Sequence, residues 1–143
     1  MTVTDHEYLK KILLAPVYDV AVNSDLVLLS RLTAELGNDV FLKREDQQPV
    51  KSFKLRGAYN RIASLSPQQL EAGVIAASAG NHAQGVAYSA NMKGINATIV
   101  MPETTPDIKI EAVRRFGGQH ANVVLHGTNF DTASAHARAL SAE

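Results

Sequence analysis

The chain has 143 residues, and its 14 basic and 14 acidic side chains balance to a formal net charge of zero. A balanced charge leaves no electrostatic footprint for nucleic acid or an anionic membrane, so we expect neither partner. Cysteine is absent, which excludes a disulfide framework and thiolate chemistry. The length fits one ordinary domain with a hydrophobic core.

The first residues, Met1–Glu7, lack the basic region and apolar core of a signal peptide. No apolar run approaches the ~20 residues of a membrane-spanning helix. These features predict a cytoplasmic protein. The five histidines show no spacing typical of a metal site, so we expect no metal.

The first half of the chain predicts three helices and one short strand. Thr4 and Glu7 form a capping box that begins the first helix, and Pro16 ends it. The remaining predicted elements are a helix over 24–36, a strand over 40–44 and a helix over 53–65.

From Gly73 onward, short apolar strands alternate with helices at intervals of about 25 residues, a spacing that favours right-handed crossovers between parallel strands. The fold class is therefore α/β, with a parallel three- to four-stranded sheet flanked by helices. The predicted strands are 74–77, 97–101 and 123–125, and the predicted helices are 81–91, 105–116 and 128–140. The predicted core of the sheet consists of Val74, Ile75, Ile99, Val100, Val124 and Leu125.

Two segments contain residues suited to chemistry. Lys54 opens a predicted helix beside Phe53, and a lysine amine can form a Schiff base with an aldehyde cofactor. Ser78–Gly85 ends a strand and begins a helix, where unpaired backbone N–H groups can hold a carboxylate or phosphate. Taken alone, a lysine in a helix is far more often a solvated surface charge than a catalytic group. Ser78–Gly85 is by itself a weak motif, which an ordinary helix cap also explains.

Four segments occur in an order that resembles a known family. They are Lys43–Asp46, Ser52–Ala58, Ala77–Gly85 and Ile99–Pro102. As a set they resemble the threonine dehydratases, in the serine/threonine dehydratase branch of the fold-type II pyridoxal-phosphate enzymes, whose fold is similar to that of the tryptophan synthase β chain. Leu125–Phe130 is similar to the biosynthetic form of the isoleucine pathway.

The resemblance implies pyridoxal 5′-phosphate as cofactor and assigns roles to residues of both segments. By this resemblance, Lys54 would be the catalytic lysine that forms the Schiff base, and Phe53 would lie against the cofactor ring. Asn81 would bind the 3′-oxygen of the cofactor. The substrate-binding residues would be those of the loop that holds the substrate carboxylate, namely Ser78, Ala79, Gly80, Asn81 and His82.

The implied reaction is the dehydration and deamination of L-threonine to 2-oxobutyrate and ammonia. The family holds the cofactor phosphate in a glycine-rich loop that has no match in these 143 residues. We therefore expect an N-terminal part of such an enzyme, inactive by itself, with residues 1–50 from the large cofactor domain and 51–143 forming the small domain. Its partners would be an amino-acid substrate and either further copies of itself or the missing C-terminal part.

Two alternatives stay open. Within the family, the chain could belong to a catabolic serine/threonine dehydratase or to a serine racemase. Outside enzymes, it could be a truncated, non-catalytic chain that folds and binds a partner.

Overall fold

A computed structural model describes residues 4–142, which form seven α-helices and two small β-sheets. The helices are α1 (Asp5–Leu13), α2 (Ser30–Leu36), α3 (Lys54–Ala63), α4 (Pro67–Ala72), α5 (Asn81–Lys93), α6 (Asp107–Gly117) and α7 (Phe130–Leu140). The strands are β1 (Leu26–Leu28), β2 (Phe41–Lys43), β3 (Val74–Ala77), β4 (Ala97–Met101) and β5 (Ala121–Leu125). Among residues 4–142, none of the helices combines the length and apolarity needed to cross a bilayer.

The larger sheet confirms the predicted α/β class. Its three strands are parallel in the order β3-β4-β5, with Val74 paired to Ala97 and Ala97 paired to Ala121. Alternate residues of β4 face opposite sides of the sheet, as strand geometry requires. Ile99 packs in a core with α3, α5 and α6, whereas Val100 packs with α7. The sheet is therefore a layer between helices on both faces.

Most of the predicted sheet core is inside the protein. Ile99 and Val100 are fully buried, and Val74, Ile75 and Val124 are partly buried. The prediction was wrong for Leu125, which is 41% exposed. Leu125 is the last residue of β5, an edge strand with β4 as its neighbour on one side.

The predicted helix over 24–36 is also wrong in its first half, because residues 26–28 form β1 instead. β1 pairs antiparallel with β2, with Leu26 opposite Lys43. The Leu29 N–H donates to the Val40 carbonyl at 2.8 Å and continues this pairing. The helix begins only at Ser30, and it ends as predicted at Gly37, which has a left-handed φ of 65°.

Two further helix starts differ from the sequence expectations. The short helix α4 was not predicted, although Ser66 and Gln69 form a capping box around Pro67 at its start. At α6 we expected Thr105 to be the cap and Pro106 the first helical residue. Pro106 is itself the N-cap, because the helix begins at Asp107. The Thr105 hydroxyl is buried and has no hydrogen-bond partner among residues 4–142.

A polar cluster attaches the N-terminal segment to α3. Arg56 donates from Nε and one terminal nitrogen to the two oxygens of Glu45, both at 2.9 Å. The Ser24 hydroxyl donates to the same carboxylate at 2.6 Å. Gln48 is fully buried and exchanges hydrogen bonds with the backbone N–H and carbonyl of Val22. These bonds fix the segment before Lys54 against the helix that Lys54 begins.

We expect the stability of the chain to fall in acid because of this cluster. The Arg56 guanidinium and the Ser24 and Gln48 donors lower the pKa of Glu45 to about 2, although burial opposes them. Between that value and the unfolded pKa of roughly 4.3, the unfolded chain binds more protons, so stability should decrease as the pH falls through this window. Urea unfolding from pH 7 to pH 2 measures the effect.

Glu45→Gln is the matched test of this pH dependence. It should reduce stability at pH 7 by about 1.5–3 kcal/mol, since it removes charged hydrogen bonds in a largely buried position. It should also flatten the acid limb of the pH profile. Asp46→Asn breaks the exposed pair with Arg44 and should change little. An acid limb that is identical in Glu45→Gln and the parent would contradict the assignment.

Candidate functional site

Lys54 is the first residue of α3, and the residues before it hold its backbone in place. The Ser52 hydroxyl is buried and accepts from the Lys54 N–H at 3.3 Å. Phe53 is the N-cap residue and has helical dihedrals. Lys51 has a left-handed φ of 58°, a strained conformation for a residue with a side chain. A tight turn therefore precedes Lys54 and sets where its side chain leaves the helix.

The Lys54 side chain and the Phe53 ring lie side by side at the protein surface. The Lys54 Nζ atom is 5.0 Å from the centroid of the Phe53 ring. Both residues are exposed, Phe53 to 57%. A lysine amine is freed by burial in a pocket, whereas the Lys54 side chain is exposed.

The loop predicted to bind the substrate follows the carboxyl end of β3. The Ser78 N–H donates to the Val100 carbonyl of the neighbouring strand at 3.1 Å. Its hydroxyl accepts from the N–H groups of Gly80 and Ala83, at 3.4 and 3.3 Å. This hydrogen bonding turns the chain from strand into α5, whose N-cap is Gly80.

The turn leaves backbone donors free at the start of α5. Within residues 4–142, no hydrogen bond is recorded for the N–H groups of Ala79, Asn81 and His82. Free N–H groups at a helix N-terminus, together with the helix dipole, attract anions such as a carboxylate. The start of α5 therefore offers free backbone donors to an anion.

His82 links the loop to the lysine. Burial of its ring, and then the nearby positive charge of Lys54, lower the pKa of His82 below its ordinary value. The residue nevertheless retains an exposed surface. The structure thus brings the start of α3 close to the first turns of α5, although 25 residues of sequence lie between Lys54 and Gly80.

Sequence reasoning missed two residues near the site. It gave no role to Ser52, whose hydroxyl holds the Lys54 N–H. A serine two residues before a helix start is a recognisable turn-forming signal. It also gave no role to Gly85, which lies where α5 crosses the backbone of Lys54. A glycine inside a predicted helix is unfavourable and is a sign of close packing.

A separate cleft of about 480 Å³ lies between α3, α4, α5 and the open edge of β3. Its polar lining includes Arg61, Gln69 and His82. Lys54 and residues 78–81 do not line it. The cleft therefore touches the site at His82 alone and does not unite the lysine with the loop. Among residues 4–142 there is no group of three or more histidine, aspartate or glutamate side chains placed to hold a metal.

Comparison with known proteins places this geometry in a family. Residues 17–143 match the family model described as pyridoxal-phosphate dependent enzyme. The chain belongs to this family of pyridoxal-phosphate dependent enzymes. It is 59% identical to the biosynthetic L-threonine dehydratase IlvA of Pasteurella multocida over 96% of its length, and 55% identical to that of Escherichia coli over 94%.

Solved structures agree with that comparison. The processed form of threonine deaminase isoform 2 from Solanum lycopersicum superposes with a TM-score of 0.90 and 55% identity, over 96% of this chain and 39% of that one. Maize serine racemase superposes with a TM-score of 0.87 and 26% identity, over 99% of this chain and 42% of that one. The chain spans about a quarter of the length of the curated relatives it matches, 26% in both bacterial dehydratases.

The side chains of the site suit two parts of the family's cofactor, its aldehyde and its aromatic ring. An aldehyde needs an amine, which Lys54 offers, and an aromatic ring needs an apolar neighbour, which Phe53 offers. Asn81, in the first turn of α5, adds a polar side chain beside the free N–H groups. A phosphate is ordinarily held by several further donors. The residues at this site therefore fit the aldehyde and the ring of pyridoxal phosphate.

Proposed function

We propose that this chain forms the lysine-containing part of a threonine ammonia-lyase, which converts L-threonine to 2-oxobutyrate and ammonia for isoleucine biosynthesis. The observation that supports this most strongly is the close approach of Gly85, in the helix that the loop begins, to the backbone of Lys54, in a chain that belongs to a pyridoxal-phosphate family. The identity of 59% and 55% to two biosynthetic dehydratases favours threonine as the substrate.

The proposed roles follow from the chemistry of each residue. Pyridoxal phosphate, when bound, supplies an electron sink for the charge that develops at the substrate α-carbon. Lys54 would hold the cofactor and take up the α-proton at Nζ. Phe53 would lie against the ring, and Asn81 would hold its 3′-oxygen. The free N–H groups of the loop Ser78–His82 would orient the substrate carboxylate.

We also propose the domain division and the partner. Residues 1–50 would belong to the large cofactor domain and residues 51–143 to the small one, which is supported by the separation of the β1–β2 sheet from the β3–β5 sheet. Large apolar side chains of α1 and the small sheet, such as Leu9, Leu28 and Phe41, are exposed. Such surfaces favour association, either between copies or with a C-terminal complement. We place the protein in the cytoplasm.

Two alternatives are supported by specific observations. The TM-score of 0.87 to maize serine racemase shows that the same fold serves a racemase, although the identity of 26% is much lower. The exposure of Lys54 favours a chain that is not catalytic by itself. A racemase would form D-serine and a non-catalytic chain would form no product, so an assay of the products distinguishes both from a dehydratase.

A chimera tests the proposal. This chain would replace the matched region of the Pasteurella multocida dehydratase, and the unaltered dehydratase is the positive control. The purified chimera would be offered L-threonine and L-serine with pyridoxal phosphate. We expect 2-oxobutyrate from threonine as the main product. D-serine as the main product would favour the racemase. A folded chimera without any turnover would favour the non-catalytic alternative.

A further inference from the structure

We propose that Gly85 is a positioning residue: its missing side chain lets α5 lie directly on the backbone of Lys54 and fixes the distance between the lysine and the loop that begins α5. The inference about packing stands on the contacts alone. Its importance for catalysis rests on the proposed function of Lys54.

Gly85 of α5 lies unusually close to α3, and the atoms that it approaches there belong to the backbone. A Cβ atom at Gly85 would lie 3.3 Å from both the carbonyl carbon and the oxygen of Lys54, and 3.4 Å from the Leu55 nitrogen. Gly85 is buried and lies in the interior of α5, where glycine is less favourable than alanine by about 1 kcal/mol. Close packing gives a physical reason for a glycine at this position.

Neither helix is free to move away locally. On the α3 side, Leu55 is fully buried and the Ser52 hydroxyl holds the Lys54 N–H. On the α5 side, Ala83, Val86 and Ala87 are buried in the core that α5 shares with β4 and α6. An added methyl group would therefore displace the start of α3 relative to the start of α5, since well-packed interiors transmit such changes.

This displacement should be measurable at His82 without any cofactor. His82 lies one turn before Gly85 in α5 and senses the charge of Lys54. In Lys54→Met that charge is absent, so the titration midpoint of His82 should rise. Gly85→Ala should move the midpoint in the same direction by a smaller amount, because the backbone of Lys54 must move by a few tenths of an ångström away from α5.

Gly57→Ala is the matched control. Gly57 lies in α3 one turn after Lys54, and a Cβ atom there would meet no heavy atom within 4 Å. In Gly57→Ala, the titration midpoint of His82 should equal that of the parent chain. Histidine ring signals in NMR titrations of the four proteins supply the comparison. A folded Gly85→Ala with the parent midpoint would overturn the proposal.

A second measurement serves if Gly85→Ala does not fold. In the parent, the Gly85 α-protons should show nuclear Overhauser contacts to the Leu55 amide proton, because a Cβ atom at Gly85 would lie 3.4 Å from the Leu55 nitrogen. Absence of these contacts would equally count against the proposal. Reductive labelling of the dehydratase chimera with pyridoxal phosphate and borohydride then separates the two claims. Absence of any preference for Lys54 in the chimera would refute the proposed function, while the His82 comparison would still decide the role of Gly85.

Discussion

Replacement of Lys54 by alanine is expected to lower L-threonine turnover by the dehydratase chimera by at least about 10³-fold. The variant would lose the amine that holds the cofactor and the base that takes the α-proton, and a positioned base alone is typically worth 10²–10⁴-fold. The chimera is required because the chain spans only 26% of its dehydratase relatives. Formation of 2-oxobutyrate is the measurement.

Lys51→Ala is the control for a general effect of removing a lysine. Lys51 lies three residues away, is exposed, and occupies the turn before α3. Its loss should leave turnover within a few-fold of the parent. Residual activity within tenfold of the parent in Lys54→Ala, or a collapse of activity in Lys51→Ala alone, would contradict the assignment of the lysine.

A large effect on stability is expected at Gly127, in the connection between β5 and α7. Gly127 has a φ of +72°, and a Cβ atom there would lie 2.1 Å from the Thr132 hydroxyl oxygen. Thr132 and Asn129 form the capping box of α7. Alanine would add left-handed strain of about 1–2 kcal/mol and would disturb a cap worth about 1 kcal/mol. We therefore expect Gly127→Ala to cost about 2–3 kcal/mol in urea unfolding.

Substitutions at two other glycines measure the backbone strain separately from the steric clash of the added methyl group. Gly94 has a φ of +66° but open space around a Cβ atom, so Gly94→Ala should show the strain alone. Gly57 has neither strain nor a near neighbour, and Gly57→Ala should be neutral or stabilising by up to about 1 kcal/mol. Equal stability losses at Gly94 and Gly127 would show that the capping box tolerates the added methyl group.

The parallel sheet was predictable because its signals are local. β3 and β4 have the bounds expected from their apolar runs, and α5 begins at Asn81 as expected. The residues of β1 were predicted as helix because their pattern does not distinguish the two structures in a short segment. Only the pairing with β2, about 15 residues later, decides in favour of a strand. Such a long-range partner is not visible in a window of sequence.

The candidate site residues follow from the sequence, but their surroundings do not. The sequence predicts a role for Lys54 and for the loop Ser78–His82, and in the structure α5 crosses the start of α3 at Gly85. The exposure of Lys54 could not be predicted, since burial depends on tertiary packing. The contact between Gly85 and the Lys54 backbone was equally inaccessible, because it depends on where the two helices cross.

Mapping the lysine that reacts with pyridoxal phosphate tests the central claim most directly. The chimera would be incubated with the cofactor, reduced with borohydride, digested, and analysed by peptide mass. The proposed site predicts the label on the peptide that contains Lys54, with Lys51 unmodified and no label at Lys54 in Lys54→Ala. Label on Lys51, or on other lysines with Lys54 unmodified, would contradict the proposed site.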